Sequence, residues 1–148
     1  MKIDLGCGAS KHEGYFGIDF MDLPGVDLIC DCNGFIPLDD NVADEILAND
    51  FLEHVRNDKR IHIMNEIWRI LKPGGLFISS TPSTDGRGAF QDPTHTAFWN
   101  ENSFYYFCND VCRIRAGIKA KFDFVALSTT PLDQHHVCHV NCTLRAMK

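Results

Sequence analysis

The chain has 148 residues, of which 45% are hydrophobic and 23% charged, and its formal net charge is −6. That length suits a single domain, residues 1–148, with a core that needs no covalent staples. The acidic balance argues against a surface built to coat nucleic acid, and no apolar run approaches membrane-spanning length. Seven cysteines, an odd number in a chain without secretory features, read as reduced thiols and place the protein in the cytoplasm.

Lys2 to Leu5 predicts a first strand that runs into Gly6-Cys7-Gly8. Tyr15 to Ile18 predicts a second, ending at Asp19, and Val26 to Cys30 a third, ending at Asp31. A fourth, Glu45 to Ala48, ends at Asn49-Asp50. The clearest helix spans Asp58 to Leu71, with Ile61, Met64, Trp68 and Leu71 recurring at helical spacing as a buried stripe. Lys72-Pro73-Gly74-Gly75 stops it, and Leu76 to Ser80 makes a fifth strand. Residues 83–103 show no regular period. A short amphipathic helix through Phe104-Tyr105-Tyr106-Phe107 follows, then a hairpin of Phe122 to Leu127 and Val137 to Leu144. Apolar runs alternating with turn signals imply an α/β fold, an open and mostly parallel twisted sheet with helices on both faces. Only Ala9 to Gly14 separate the first two strands. Parallel connections usually take a dozen residues or more, so a single helical turn is expected to make this crossover.

Each of the first four strands ends in glycines or in an acidic or amide residue. In open α/β sheets that carboxyl edge is where ligands bind. Gly6 and Gly8 let the backbone approach a ligand closely. Asp19 is placed to accept hydrogen bonds from both hydroxyls of a ribose, and Asp31 from an exocyclic adenine amine. Asn49 and Asp50 are placed to hold an ammonium group. Together they describe a pocket for an adenosine with a cationic, amino-acid-like tail. A dinucleotide oxidoreductase would want Gly-x-Gly-x-x-Gly, but Ala9-Ser10-Lys11 follow Gly8 without a third glycine.

Several stretches resemble the class I S-adenosylmethionine-dependent methyltransferases. Ile3-Asp4-Leu5-Gly6-Cys7-Gly8 is similar to their motif I, and Ile36 to Ile46 to the approach to their fourth strand. Leu52-Glu53-His54-Val55 and Trp68 to Gly75 resemble two further signatures, and Gly14 to Asp19 a branch with a short first crossover. The resemblance covers roughly residues 3–82. It implies strand order 3-2-1-4-5-7-6 with an antiparallel last strand. It also implies that Gly6, Cys7 and Gly8 wrap the donor, with Asp4 near its amino-acid end. By the same resemblance Asp19 binds the ribose, Asp31 the adenine, Cys32 contributes a backbone amide, and Asn49 offers its carbonyl to the ammonium. The helix that normally precedes the first strand is missing, and the chain is short for the family.

The function this predicts is methyl transfer from S-adenosylmethionine to an acceptor, here expected to be a small molecule. The alternative is a non-catalytic S-adenosylmethionine-binding or scaffold protein that keeps the fold; a homo-oligomer, and a partner chain that completes the site, stay open. Residues 83–103 leave the fifth strand at the donor edge and are expected to face the acceptor. His95, in the turn Asp92-Pro93-Thr94-His95, is the first candidate base and His54 the second. For each, a purely structural hydrogen bond is the competing reading. His135, His136, Cys138, His139 and Cys142 invite a zinc reading, but strand alternation separates Cys138 and Cys142 from His139, so no metal is expected there.

Overall fold

The computed structural model describes residues 1–148. Four short parallel strands come first, β1 (Lys2–Leu5), β2 (Phe16–Asp19), β3 (Leu28–Ile29) and β4 (Ala43–Asn49), followed by helix α1 (Arg60–Ile70) and strand β5 (Leu71–Pro82). Short helices α2 (Gly88–Gln91), α3 (Glu101–Cys108) and α4 (Asp110–Arg115) lead to the hairpin β6 (Phe122–Thr129) and β7 (His139–Ala146). The seven strands lie in the order β3-β2-β1-β4-β5-β7-β6, and β7 runs antiparallel to both neighbours. Fold class and strand order are those the sequence implies.

Two elements differ in detail. The third strand is only two residues long. The Asp27 carboxylate takes the Gly17 N–H at 2.7 Å and binds Lys11 Nζ at 2.7 Å, so a side chain does there what a strand backbone would. Helix α1 begins at Arg60 after a 3-10 turn at Asn57–Lys59. Its buried face is Ile63, Met64, Ile67 and Ile70, whereas Ile61 is 38% exposed and Leu71 already belongs to β5. The predicted stripe was rotated around the helix.

The helices are unevenly distributed over the sheet. Ile3, Ile46, Phe77 and Leu144 occupy paired positions across β1, β4, β5 and β7, and paired residues share a face. All four join one core cluster with Ile63 and Ile67 of α1 and Phe104 and Phe107 of α3. The two longest helices therefore pack on the same face. Opposite them, residues 6–15 fold back over β1 and β2 as turns, without the expected helical turn. Gly17 permits this: a Cβ there would lie 2.6 Å from Lys11 Cδ and 2.8 Å from Cys7 Sγ. The loop is pinned by His12, whose backbone N–H and ring bind the Asp4 carboxylate at 3.0 and 2.9 Å.

Residues 83–103 are ordered by contacts rather than by period. Trp99 is fully buried, its ring stacked at 5.2 Å on Phe104 with the Arg60 guanidinium 4.5 Å from its centroid. Its indole N–H donates to the Leu52 carbonyl at 3.2 Å. Asn100 caps α3 in a reciprocal box with Ser103. Thr96 and Ala97 donate their N–H groups to the Glu53 carbonyl at 2.9 and 3.0 Å. The segment is thereby fastened to the turn after β4.

Candidate functional site

A cavity of about 780 Å³ opens at the carboxyl edge of β1, β2 and β4. Gly6 and Gly8 line it, with φ of +67° and +53°, a region that L side chains rarely adopt. A Cβ on Gly6 would stand 2.5 Å from Phe51 Cδ2, whereas one on Gly8 would meet nothing within 4 Å. Gly6 is therefore a packing glycine, and Gly8 leaves bare backbone beside open space. Asp19 also lines the cavity, one carboxylate oxygen accepting from the Gly8 N–H and the other from the Met21 N–H, both at 2.9 Å. Each oxygen keeps a lone pair for a further donor.

Asp31 and Cys32 form the next part of the wall. The backbone and side-chain N–H groups of Asn33 hold the Asp31 carboxyl below its ordinary range, so it stays an anion. Burial pushes the Cys32 thiol far up, so it is neutral, and its backbone N–H has no hydrogen bond within the chain. Three expected residues are not on the wall. The side chain of Asp4 is turned to the far face by His12, Cys7 is buried beside Gly17, and Asn49 is exposed at the strand end. In place of Asn49, its neighbours Asp50, with φ +45°, and Phe51 face the cavity.

His54 lines the far end of the cavity with Thr94. His95 does not. It stands behind His54, the two rings edge to face at 4.9 Å. The Thr94 hydroxyl donates to Asp92 at 2.7 Å and lies 3.2 Å from His54 Nδ1, so it can accept that N–H in turn. His95 Nδ1 is 3.3 Å from the Ala89 carbonyl, and Asp92 caps the Thr94 N–H at 2.8 Å as the sequence predicts. Glu53 is 2% exposed, with the Thr81 hydroxyl bound to one oxygen at 2.7 Å. Burial raises its carboxyl above the ordinary value, and that hydroxyl works against the rise.

Residues 20–79 match the family model described as Methyltransferase domain. The chain has the class I methyltransferase fold. The crystal structure of the Burkholderia thailandensis 1,6-didemethyltoxoflavin-N1-methyltransferase with bound S-adenosylhomocysteine is similar at TM-score 0.69 and 16% identity, over 99% of this chain and 71% of that one. A structure of SAM-dependent methyltransferases from Methanosarcina mazei is similar at TM-score 0.66 and 14% identity, over 99% and 92%. The cyclase SpnF is similar at TM-score 0.70 and 16% identity, over 99% and 74%. At these identities the structures establish the fold alone. No curated protein matches the sequence.

Around this cavity the strand-end pattern of the sequence did not reveal the apolar wall. Phe20, Met21, Phe51 and Val55 line the cavity, and Phe20 is 69% exposed. Two large apolar residues placed directly after Asp19, beyond the strand, were the signal. At the other end of the chain, Cys138, Val140, Cys142 and Leu144 are buried while His139, Asn141, Thr143 and Arg145 are not, so the expected alternation of β7 holds. No helix is long and apolar enough to cross a membrane. The geometry at Gly6 makes a stability prediction. Gly6→Ala should lose about 1–3 kcal/mol, the scale of a strained φ in a packed site, and Gly8→Ala less. Urea midpoints that fall equally in the two variants would contradict the assigned role of Phe51.

Proposed function

We propose that this single-domain chain binds S-adenosylmethionine in the cavity and transfers its methyl group to a small-molecule acceptor. The carrying observation is that bare backbone at Gly8, the Asp19 and Asp31 carboxylates and the unpaired Cys32 N–H share one wall in strand order. This donor set suits an adenosine. Asp19 offers one lone pair on each oxygen to ribose hydroxyls, Asp31 accepts from the adenine amine, and Cys32 donates a backbone N–H to the ring. Phe20 and Phe51 add apolar surface to the same cavity. Asp50 is the carboxylate closest in sequence to the expected ammonium site.

The donor, when bound, supplies an already activated methyl group on a sulfonium. The chain's own work is alignment and exclusion of water. Residues 83–103 form the acceptor side, and the His54–His95 pair takes the proton from an oxygen or nitrogen acceptor. The cyclase on the same fold is a reminder that the fold does not fix the chemistry.

Calorimetry should find S-adenosylmethionine and S-adenosylhomocysteine bound and a nicotinamide dinucleotide not bound. Binding of the dinucleotide alone would overturn the reading. Isotopically labelled donor added with metabolite extracts then identifies the acceptor, and a bound donor whose label reaches no acceptor class favours the binding or scaffold role. Asp19→Ala should weaken donor binding by about 1–3 kcal/mol, the range for hydrogen bonds to a charged group. An unchanged dissociation constant would remove Asp19 from the ribose site.

A further inference from the structure

We propose that Glu53, His54 and His95 form a binding site for a divalent transition-metal ion of the zinc type, at the acceptor end of the cavity. One ligand atom from each side chain lies within 4.8 Å of the other two. The three come from two segments that the backbone ties together, the turn Leu52–His54 and residues 95–97, through the bonds of Thr96 and Ala97 to the Glu53 carbonyl. Two imidazoles and one carboxylate are the protein ligands of a common catalytic zinc type, in which a fourth position stays open to water or substrate. Imidazole also selects for zinc-like ions over magnesium and calcium.

The surroundings carry the argument further than proximity. Metal-bound side chains are held by outer partners that fix ring orientation, and each of these three has one. Thr94 stands against His54 Nδ1 and is itself held by Asp92, leaving Nε2 free. The Ala89 carbonyl stands against His95 Nδ1, which leaves Nε2 as the ligand atom, with the Asp92 carboxylate 3.8 Å from it and beyond hydrogen-bond distance. Thr81 holds one oxygen of Glu53, leaving the other. Glu53 is a buried carboxylate whose only side-chain hydrogen-bond partner is a neutral hydroxyl, and a buried carboxylate without a cation is costly. An ion between the three groups supplies the missing charge. Bonds of about 2.0–2.2 Å require the ligands to draw inward, and the exposed His54 ring has room to move.

The consequence concerns the acceptor. Of the three ligands His54 lines the cavity, beside Thr94, so an acceptor oxygen or nitrogen in the cavity would reach an ion held there from that side. With the ion bound, both imidazoles are ligands and the ion replaces them as the activating group: coordination makes an attached hydroxyl more acidic, and its proton leaves to water. The site stands apart from donor binding, since none of its three ligands is among the residues proposed to hold the adenosine.

The test is calorimetric titration of the full chain, stripped with chelator, with zinc chloride, and separately with cobalt to read ligand-field absorption. One ion per chain is expected, with low-coordinate cobalt bands. His95→Gln and Glu53→Gln, checked for folding by circular dichroism, should each weaken zinc by at least about 10-fold to 100-fold, and Thr94→Val within that same range through His54. S-adenosylhomocysteine affinity should stay unchanged in all three. Absence of stoichiometric zinc, or zinc that survives both ligand substitutions because cysteines hold it, overturns the proposal and leaves the donor reading untouched.

Discussion

Trp99→Ala is expected to destabilise the protein by about 3–5 kcal/mol, the cost of emptying a large aromatic site in a core. The ring is fully buried and stacks on Phe104 at 5.2 Å and Phe107 at 6.3 Å. Around it meet three things that must be held together: the acceptor segment, α3, and the turn that carries Glu53 and His54. A domain of ordinary stability has only about 5–15 kcal/mol to lose, so much of the reserve goes with one side chain. The indole N–H adds a local effect, because it fixes the Leu52 carbonyl at 3.2 Å, one residue before Glu53. Trp99→Phe keeps most of the stacking and loses that bond, for about 1 kcal/mol. Chemical denaturation of the two variants reads both numbers. A midpoint for Trp99→Ala equal to that of the unaltered protein would mean that residues 83–103 are held by something other than this stack.

What could be read from the sequence was whatever repeats at fixed spacing or sits at a strand end. β1 has the predicted bounds, and the cavity lies at the edge marked by Gly6, Gly8, Asp19 and Asp31, because residues that terminate parallel strands are neighbours in space however far apart in the chain. The face of α1 was not legible: Ile61, Ile63, Ile67, Trp68 and Ile70 are all apolar, and only packing against the sheet selects Ile63, Ile67 and Ile70. The turns that replace a crossover helix depend on Gly17 having no side chain under Lys11 and Cys7, a contact that no local pattern announces. Asp4 belonged to the expected motif, yet His12 claims its carboxylate from a loop. The fold was thus legible in its sheet and obscure in its connections, and the site in its polar ends but not its apolar wall. His54 and His95, which sequence spacing could not bring together, meet because Thr96 and Ala97 hydrogen-bond to Glu53.

That meeting sets the second large effect. His54→Ala should reduce turnover by about 10²-fold or more, the range for losing a general base, with donor affinity near that of the unaltered protein. The sequence alone placed His95 first. The structure puts His54 on the cavity wall and His95 behind it, with only 8% of its side chain exposed. His95→Ala is expected to lower turnover as well, because His54 loses the ring it rests on edge to face. In the proposed mechanism the two side chains serve one proton transfer, so their losses should not add: groups that act as a unit give a double variant little worse than the poorer single one. Once an acceptor is known, steady-state kinetics on the two single variants and the double variant, with donor binding measured separately, decide the matter. Full turnover in both single variants would end the catalytic assignment, and multiplying losses would show two independent roles. A collapse of donor affinity in His54→Ala would move that residue from the acceptor side to the donor wall.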